Sequence, residues 1–235
     1  MTETTGIAAR ARHALIASAR KFGSASYDND GYVANVEDNL SPFVALASIR
    51  DAFEIGRGSE LSGKMRAAHS SSALAVNTFG RWSGDPPDLS IAGYSNFSSL
   101  AFERQCSSGL GGTPPHLDVV LEGPGGVLAI ESKLTEYLTP KEPKFAESYF
   151  ANIKDKRQNS TWYAEMQRIA KISDYRFLDA AQLIKHYFGL ARTFADKPVT
   201  RLYLYWEPVN ASEIKPSASI VMRLLCLAPM SVLQT

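Results

Sequence analysis

The sequence predicts an α/β chain: a mixed β-sheet flanked by helices, with a helical N-terminal region packed on it. Three observations predict this class. Residues 116–122 and 127–134 are strand-length runs rich in Val, Leu and Ile, separated by Gly123-Pro124-Gly125-Gly126, a turn whose residues fix or free φ. Residues 200–207 (TRLYLYWE) alternate apolar and polar side chains with the period of a strand. Before and between these runs apolar residues recur at helical spacing, the pattern of a sheet whose connections are covered by helices. A chain of 235 residues, 45% of them hydrophobic, is long enough for one substantial core. A single domain is expected, with residues 1–80 as the helical region and residues 98–228 as the core.

Taken in order, residues 6–21 read as an amphipathic helix: Ile7, Ala11, Leu15 and Ala19 share a face, with Arg10, Arg12, Arg20 and Lys21 elsewhere. Residues 22–39 are a polar loop. Its Asp28-x-Asp30-Gly31 lacks the later ligands of a calcium loop. Ser41-Pro42 opens a second helix, with Ser41 as N-cap, running to residue 55. Ser59 caps a third over residues 60–77. Residues 80–97 carry Gly80, Gly84, Pro86, Pro87 and Gly93 and read as a surface loop. Residues 99–106 form the first strand of the sheet, with Glu103 inside it. The Gly109–Gly112 run precedes prolines rather than a helix, so it is a turn and not a phosphate cradle. After the hairpin, residues from 139 onward read as helical, and 175–194 as a longer helix with Leu178, Ala181, Leu183, Ile184, Tyr187 and Leu190 inward. Residues 219–227 are expected to close the sheet.

Composition limits the function. The net charge is +1, so a nucleic-acid binder of this balance must concentrate its positive surface locally. Lys141, Lys144, Lys154, Lys156, Arg157, Arg168 and Lys171, interleaved with Phe145, Tyr149, Phe150, Trp162 and Tyr163, are such a concentration, with aromatics available to stack on bases. The two cysteines, Cys106 and Cys226, form no metal or redox motif and are expected as buried thiols. No stretch reaches the length of a membrane span, and the N-terminus has no long apolar core. A cytoplasmic protein without a membrane partner is expected.

The chemistry concentrates at the end of the hairpin. Side chains alternate faces along a strand, so Glu131 and Lys133 share one face while Ser132 joins Leu128 and Ile130 on the other. Asp118 shares a face with His116 and Val120. Pairing across the turn brings Asp118 to Glu131 and Lys133. Two carboxylates and an ammonium at the end of a buried hairpin are costly unless something uses or neutralises them; a divalent cation would neutralise the acids. The chain holds two other Glu-x-Lys copies, Glu142-Pro143-Lys144 and Glu213-Ile214-Lys215. Neither ends an apolar strand with an acid on the strand before it. From the residues alone, a metal site and a surface ion pair both stand. His69-Ser70-Ser71-Ser72 has no orienting carboxylate or nucleophile elbow beside it, so its role is packing and hydrogen bonding.

An acid on one strand and Glu-x-Lys on the next resembles the PD-(D/E)xK nuclease superfamily, with its restriction-endonuclease-like fold. Phe102-Glu103, Gly109–Pro115 with Leu117-Asp118, Glu60-Leu61 with Lys64, and His69-Ser70-Ser71 followed by 76–80 (VNTFG) resemble one branch of restriction endonucleases. The likeness covers roughly residues 55–190. It departs at Leu117, which stands where a proline is usual. The resemblance implies a metal-dependent endonuclease acting on DNA. Asp118, Glu131 and the backbone carbonyl of Ser132 would hold Mg²⁺, with Mn²⁺ able to substitute, and Lys133 would act on the nucleophile and the phosphate. It offers Gln182 and Glu60 as further site residues, Glu60 standing equally as an acid that meets a helix N-terminus; Glu103, charged inside a short core strand, is either adjacent to the site or a solvated alternate position. Double-strand cleavage would favour a homodimer. Two rival classes are a non-catalytic nucleic-acid-binding protein of nuclease-like fold, and a glycoside hydrolase using Asp118 and Glu131. The intact acid-acid-lysine set argues against the first. Lys133, and the lack of an aromatic sugar platform at the hairpin, argue against the second.

Overall fold

A computed structural model describes residues 6–55, 59–111, 113–151, 160–171 and 177–209. Its centre is a four-stranded sheet of order β1-β2-β3-β4: β1 (Ser99–Gln105), β2 (His116–Gly123), β3 (Gly126–Lys133) and β4 (Val199–Tyr205). The first three strands are an antiparallel meander, and β4 lies parallel to β3. The sheet is therefore mixed. The β2–β3 hairpin turns at residues 124–125 and is in register from Gly123↔Gly126 to Val119↔Ile130. Gly126 adopts φ +113°, and a Cβ there would meet the Pro198 carbonyl oxygen at 2.4 Å; only glycine turns here beside the start of β4.

Helices cover both faces. On one side Phe102, Val119, Leu121, Leu128 and Ile130 pack with residues of α2 (Leu46–Ile55) and α3 (Ser71–Phe79), among them Ile49, Phe53, Val76 and Phe79. On the other, Val120, Val127 and Ala129 pack with Leu190 of α6 (Ala180–Thr193) and with Phe194. A further apolar cluster joins α6 to α5 (Thr161–Ile169) and α4 (Glu147–Ala151), and the half-buried Ile7, Ala8 and Ala11 of α1 (Ile7–Phe22) lean on it. β3 lies between two strands and under helices on both faces, so its residues from Gly126 to Ser132 are all buried.

Several elements differ from expectation. The helix expected over 60–77 begins only at Ser71, capped by Ser70 through a hydrogen bond from the Ala73 N–H. Residues 60–63 are a turn, 64–66 a single 3₁₀ turn, and Tyr32 bridges Ala67 in β fashion. The Val33 N–H donates to the Arg66 carbonyl, so the backbone of this segment is committed to the preceding loop. The helix expected from Ser41 begins at Leu46; the Ser41 N–H instead donates to the Asn77 side chain. Residues 139–146 carry no helix, and Asp179 caps α6 later than residue 175. Three of the aromatics placed for stacking, Tyr149, Trp162 and Tyr163, are buried in the core, whereas Phe150 is exposed and Phe145 partly buried. The expected strand 219–227, Cys226, Lys154, Lys156 and Arg157 lie outside the described residues, and Cys106 is buried as expected.

Candidate active site

The hairpin register builds the site. Val119↔Ile130 pair just before the strands part, which sets Asp118 level with Glu131. By the alternation of β3, Glu131 lies on the α6 side with Val127 and Ala129, and Ser132 faces α3, where its hydroxyl donates to the Ser71 carbonyl at 3.1 Å. The Ser132 N–H donates to Asp118 Oδ2 at 2.6 Å, tying the two strand ends together. Lys133 Nζ contacts Glu131 Oε1. Asp118, Glu131 and Lys133 line one cleft of about 1120 Å³, together with Glu60, Glu103, Gln182 and His186.

Electrostatics separate the two carboxylates. Burial pushes Asp118 well above the usual carboxylate range; Glu131 and Glu103 add to this, and Lys133 and the Ser132 N–H only partly offset it. Burial works against Glu131 as well, but Lys133 and then His186 outweigh it and hold its carboxyl at about 2. Lys133 pays the same burial penalty, yet Glu131 and Asp118 raise it above the ordinary lysine value. The cation is thus fixed, one acid is ionised, and the other is short of positive charge.

Glu103 stands level with Asp118, between the Phe102↔Val119 and Arg104↔Leu117 pairs, and has φ +48°. A left-handed conformation at a non-glycine strand residue costs on the order of 1–3 kcal/mol, and such strain clusters at functional sites. Its carboxylate lies 3.5 Å from His116 Nδ1. Burial, with Glu60 and Glu131 nearby, lifts it to about 7. Glu60 reaches the cleft from a turn rather than from a helix; it accepts from Ser72 at 3.3 Å and pairs with Lys64 at 3.5 Å. Gln182 lines the cleft from the first turn of α6, with its N–H donating to Asp179. One turn on is a residue the sequence reasoning passed over. His186 is 3% exposed, and its Nδ1 lies 3.2 Å from Glu131 Oε2. Its only sequence signal is the i+4 spacing from Gln182, which sets both on one face of the helix.

The resemblance implies a divalent cation at these residues. Among the described residues, no group of three or more His, Cys, Asp or Glu side chains is arranged to hold a metal ion. Mg²⁺ asks for less: one or two carboxylates, with water in its remaining positions. Asp118 and Glu131 supply those, both buried, the first with its carboxyl raised well above the usual range chiefly by burial. The donor set fits a hard, water-retaining cation.

The family described as restriction endonuclease associating with ARP matches residues 8–227. The chain belongs to this family. Its span takes in every strand of the sheet and the whole acid-lysine cleft. No curated protein and no solved structure matches the chain. No helix among the described residues is long and apolar enough to cross a membrane.

Proposed function

We propose that the protein is a metal-dependent endonuclease of restriction type, with the PD-(D/E)xK fold, that hydrolyses phosphodiester bonds of DNA. The observation that carries the reading is one cleft holding Asp118, Glu131 and Lys133 at the end of a hairpin, with a buried carboxyl short of positive charge. The family's description supports a nuclease, and DNA as its substrate. Asp118, Glu131 and the Ser132 carbonyl would hold Mg²⁺, with Mn²⁺ as a substitute. The cation would supply charge neutralisation for the phosphate and a lowered pKa for water.

The chain's own residues do the rest. The Ser132 N–H fixes the Asp118 carboxylate, so the acid faces the cleft in one orientation. Lys133 is held by Glu131 and stays protonated. It therefore acts as an electrostatic partner and hydrogen-bond donor to the phosphoryl oxygens as charge develops there. Glu103 titrates at about 7, where a carboxyl can take a proton from attacking water; that role falls to it ahead of Lys133. Lys141, Lys144 and Lys185 at the cleft offer phosphate contacts, which recover part of the basic surface first sought on the aromatic-rich segment.

The test is cleavage of supercoiled plasmid with Mg²⁺ or with EDTA, beside Asp118→Ala and Lys133→Ala. Cleavage is expected with Mg²⁺ alone. Asp118→Ala should lose calorimetric Mn²⁺ binding and cleavage together. Lys133→Ala should keep binding and lose about a hundredfold or more in rate, about 3 kcal/mol of transition-state stabilisation. Cleavage in EDTA, or parental cleavage by Lys133→Ala, would contradict the reading.

A further inference from the structure

We infer that His186 is the positioning residue of Glu131. The inference rests on the metal-dependent reading above and adds a residue to it. Both residues are 3% exposed. Glu131 Oε2 and His186 Nδ1 are both buried without a hydrogen-bond partner, and they are the two atoms that lie 3.2 Å apart. Buried polar atoms in native proteins are almost always paired, and each of these has the other within reach. The separation already suits a hydrogen bond; the alignment does not. A small turn of the imidazole supplies it, with Nδ1–H donating to Oε2. Oε1 already receives Lys133. The carboxylate is then held at both oxygens, one by an ammonium from its own strand and one by a ring from α6.

The ring is rigid because α6 is. Ile184, Phe188 and Leu190 of the same helix are buried in the core. At Gly189 the helix comes so close to the first strand's end that a Cβ would stand 2.1 Å from the Cys106 carbonyl oxygen. α6 therefore cannot slide without opening the sheet, and His186 is a fixed point against which Glu131 is set.

The test uses Mn²⁺ alone as the probe, with the free-ion electron paramagnetic resonance signal as readout, on the full chain. His186→Phe keeps the volume and removes the donor. His186→Asn keeps a donor near the place of Nδ1. Groups that orient a metal-binding side chain are typically worth about 10–100-fold in affinity. His186→Phe should bind Mn²⁺ more weakly by that factor with its thermal midpoint near the parent's, and His186→Asn should recover most of the loss. His186→Leu serves if the phenyl ring disturbs packing. Equal binding by parent and His186→Phe overturns the inference alone, as does His186→Asn binding no better than His186→Phe. A parent that binds no Mn²⁺ overturns the metal-dependent reading and this inference with it.

Discussion

Glu103 shows how much a single residue can carry. It is charged, sits in a strand at φ +48°, and has its carboxyl raised to about 7 by burial and by the acids Glu60 and Glu131. An unfolded glutamate titrates near 4.3. The folded chain therefore holds a proton that the unfolded chain has released, and stability from neutral Glu103 is present below about pH 4.3 and lost as pH rises toward about 7. Glu103→Gln in EDTA should be more stable than the parent at pH 8 by ~1–3 kcal/mol, and should gain nothing at pH 4. Urea titrations at the two pH values check this; equal parental and variant stabilities at pH 8 would deny the buried charge. At this scale the sequence was informative where a strict two-residue period operates. Asp118, Glu131 and Lys133 lie on the face the alternation of the strands implies, and Ser132 faces the other way. His186 was not legible, because helix periodicity says which residues share a face but not which strand residue that face meets. The left-handed turn at Glu103 has no local signal either, since neither Gly nor Asn marks it.

Among the elements, strands were read more closely than helices. β2, β3 and β4 fall within a residue or two of expectation, because the hairpin turn and the alternation bound them. The helix expected over 60–77 failed for a tertiary reason. Two serines, Ser59 and Ser70, can both cap, and residues 64–68 instead bond to the loop at Gly31 and Val33. Helix propensity over one turn amounts to only a few tenths of a kcal/mol per residue, less than such backbone pairing contributes. Glu60 thus arrives at the cleft from a turn. At Gly189, α6 packs against Cys106, just past the end of β1, with no room for a Cβ. Gly189→Ala should cost ~1–3 kcal/mol, the usual penalty of overpacking, despite alanine's better helix propensity. A thermal midpoint at or above the parent's would mean that α6 stands farther from the sheet than described here.

For the molecule as a whole, a net charge of +1 hides a cleft in which both signs are concentrated. Acids from β1, β2 and β3 meet at its floor, and Lys64, Lys141, Lys144 and Lys185 line it from the segments around the sheet. Under the proposed function, this division suits a polyanion bound by the lysines and cut at the acids, with the divalent ion proposed there offsetting the repulsion between acids and phosphate. The most direct measurement is the anomalous scattering of a crystal soaked in Mn²⁺. The account predicts a peak at the end of the β2–β3 hairpin, within direct coordination of carboxylate oxygens of Asp118 and Glu131, and its loss in Asp118→Ala. A Mn²⁺-soaked crystal with no peak there, or with its only strong peak elsewhere in the molecule, would contradict it.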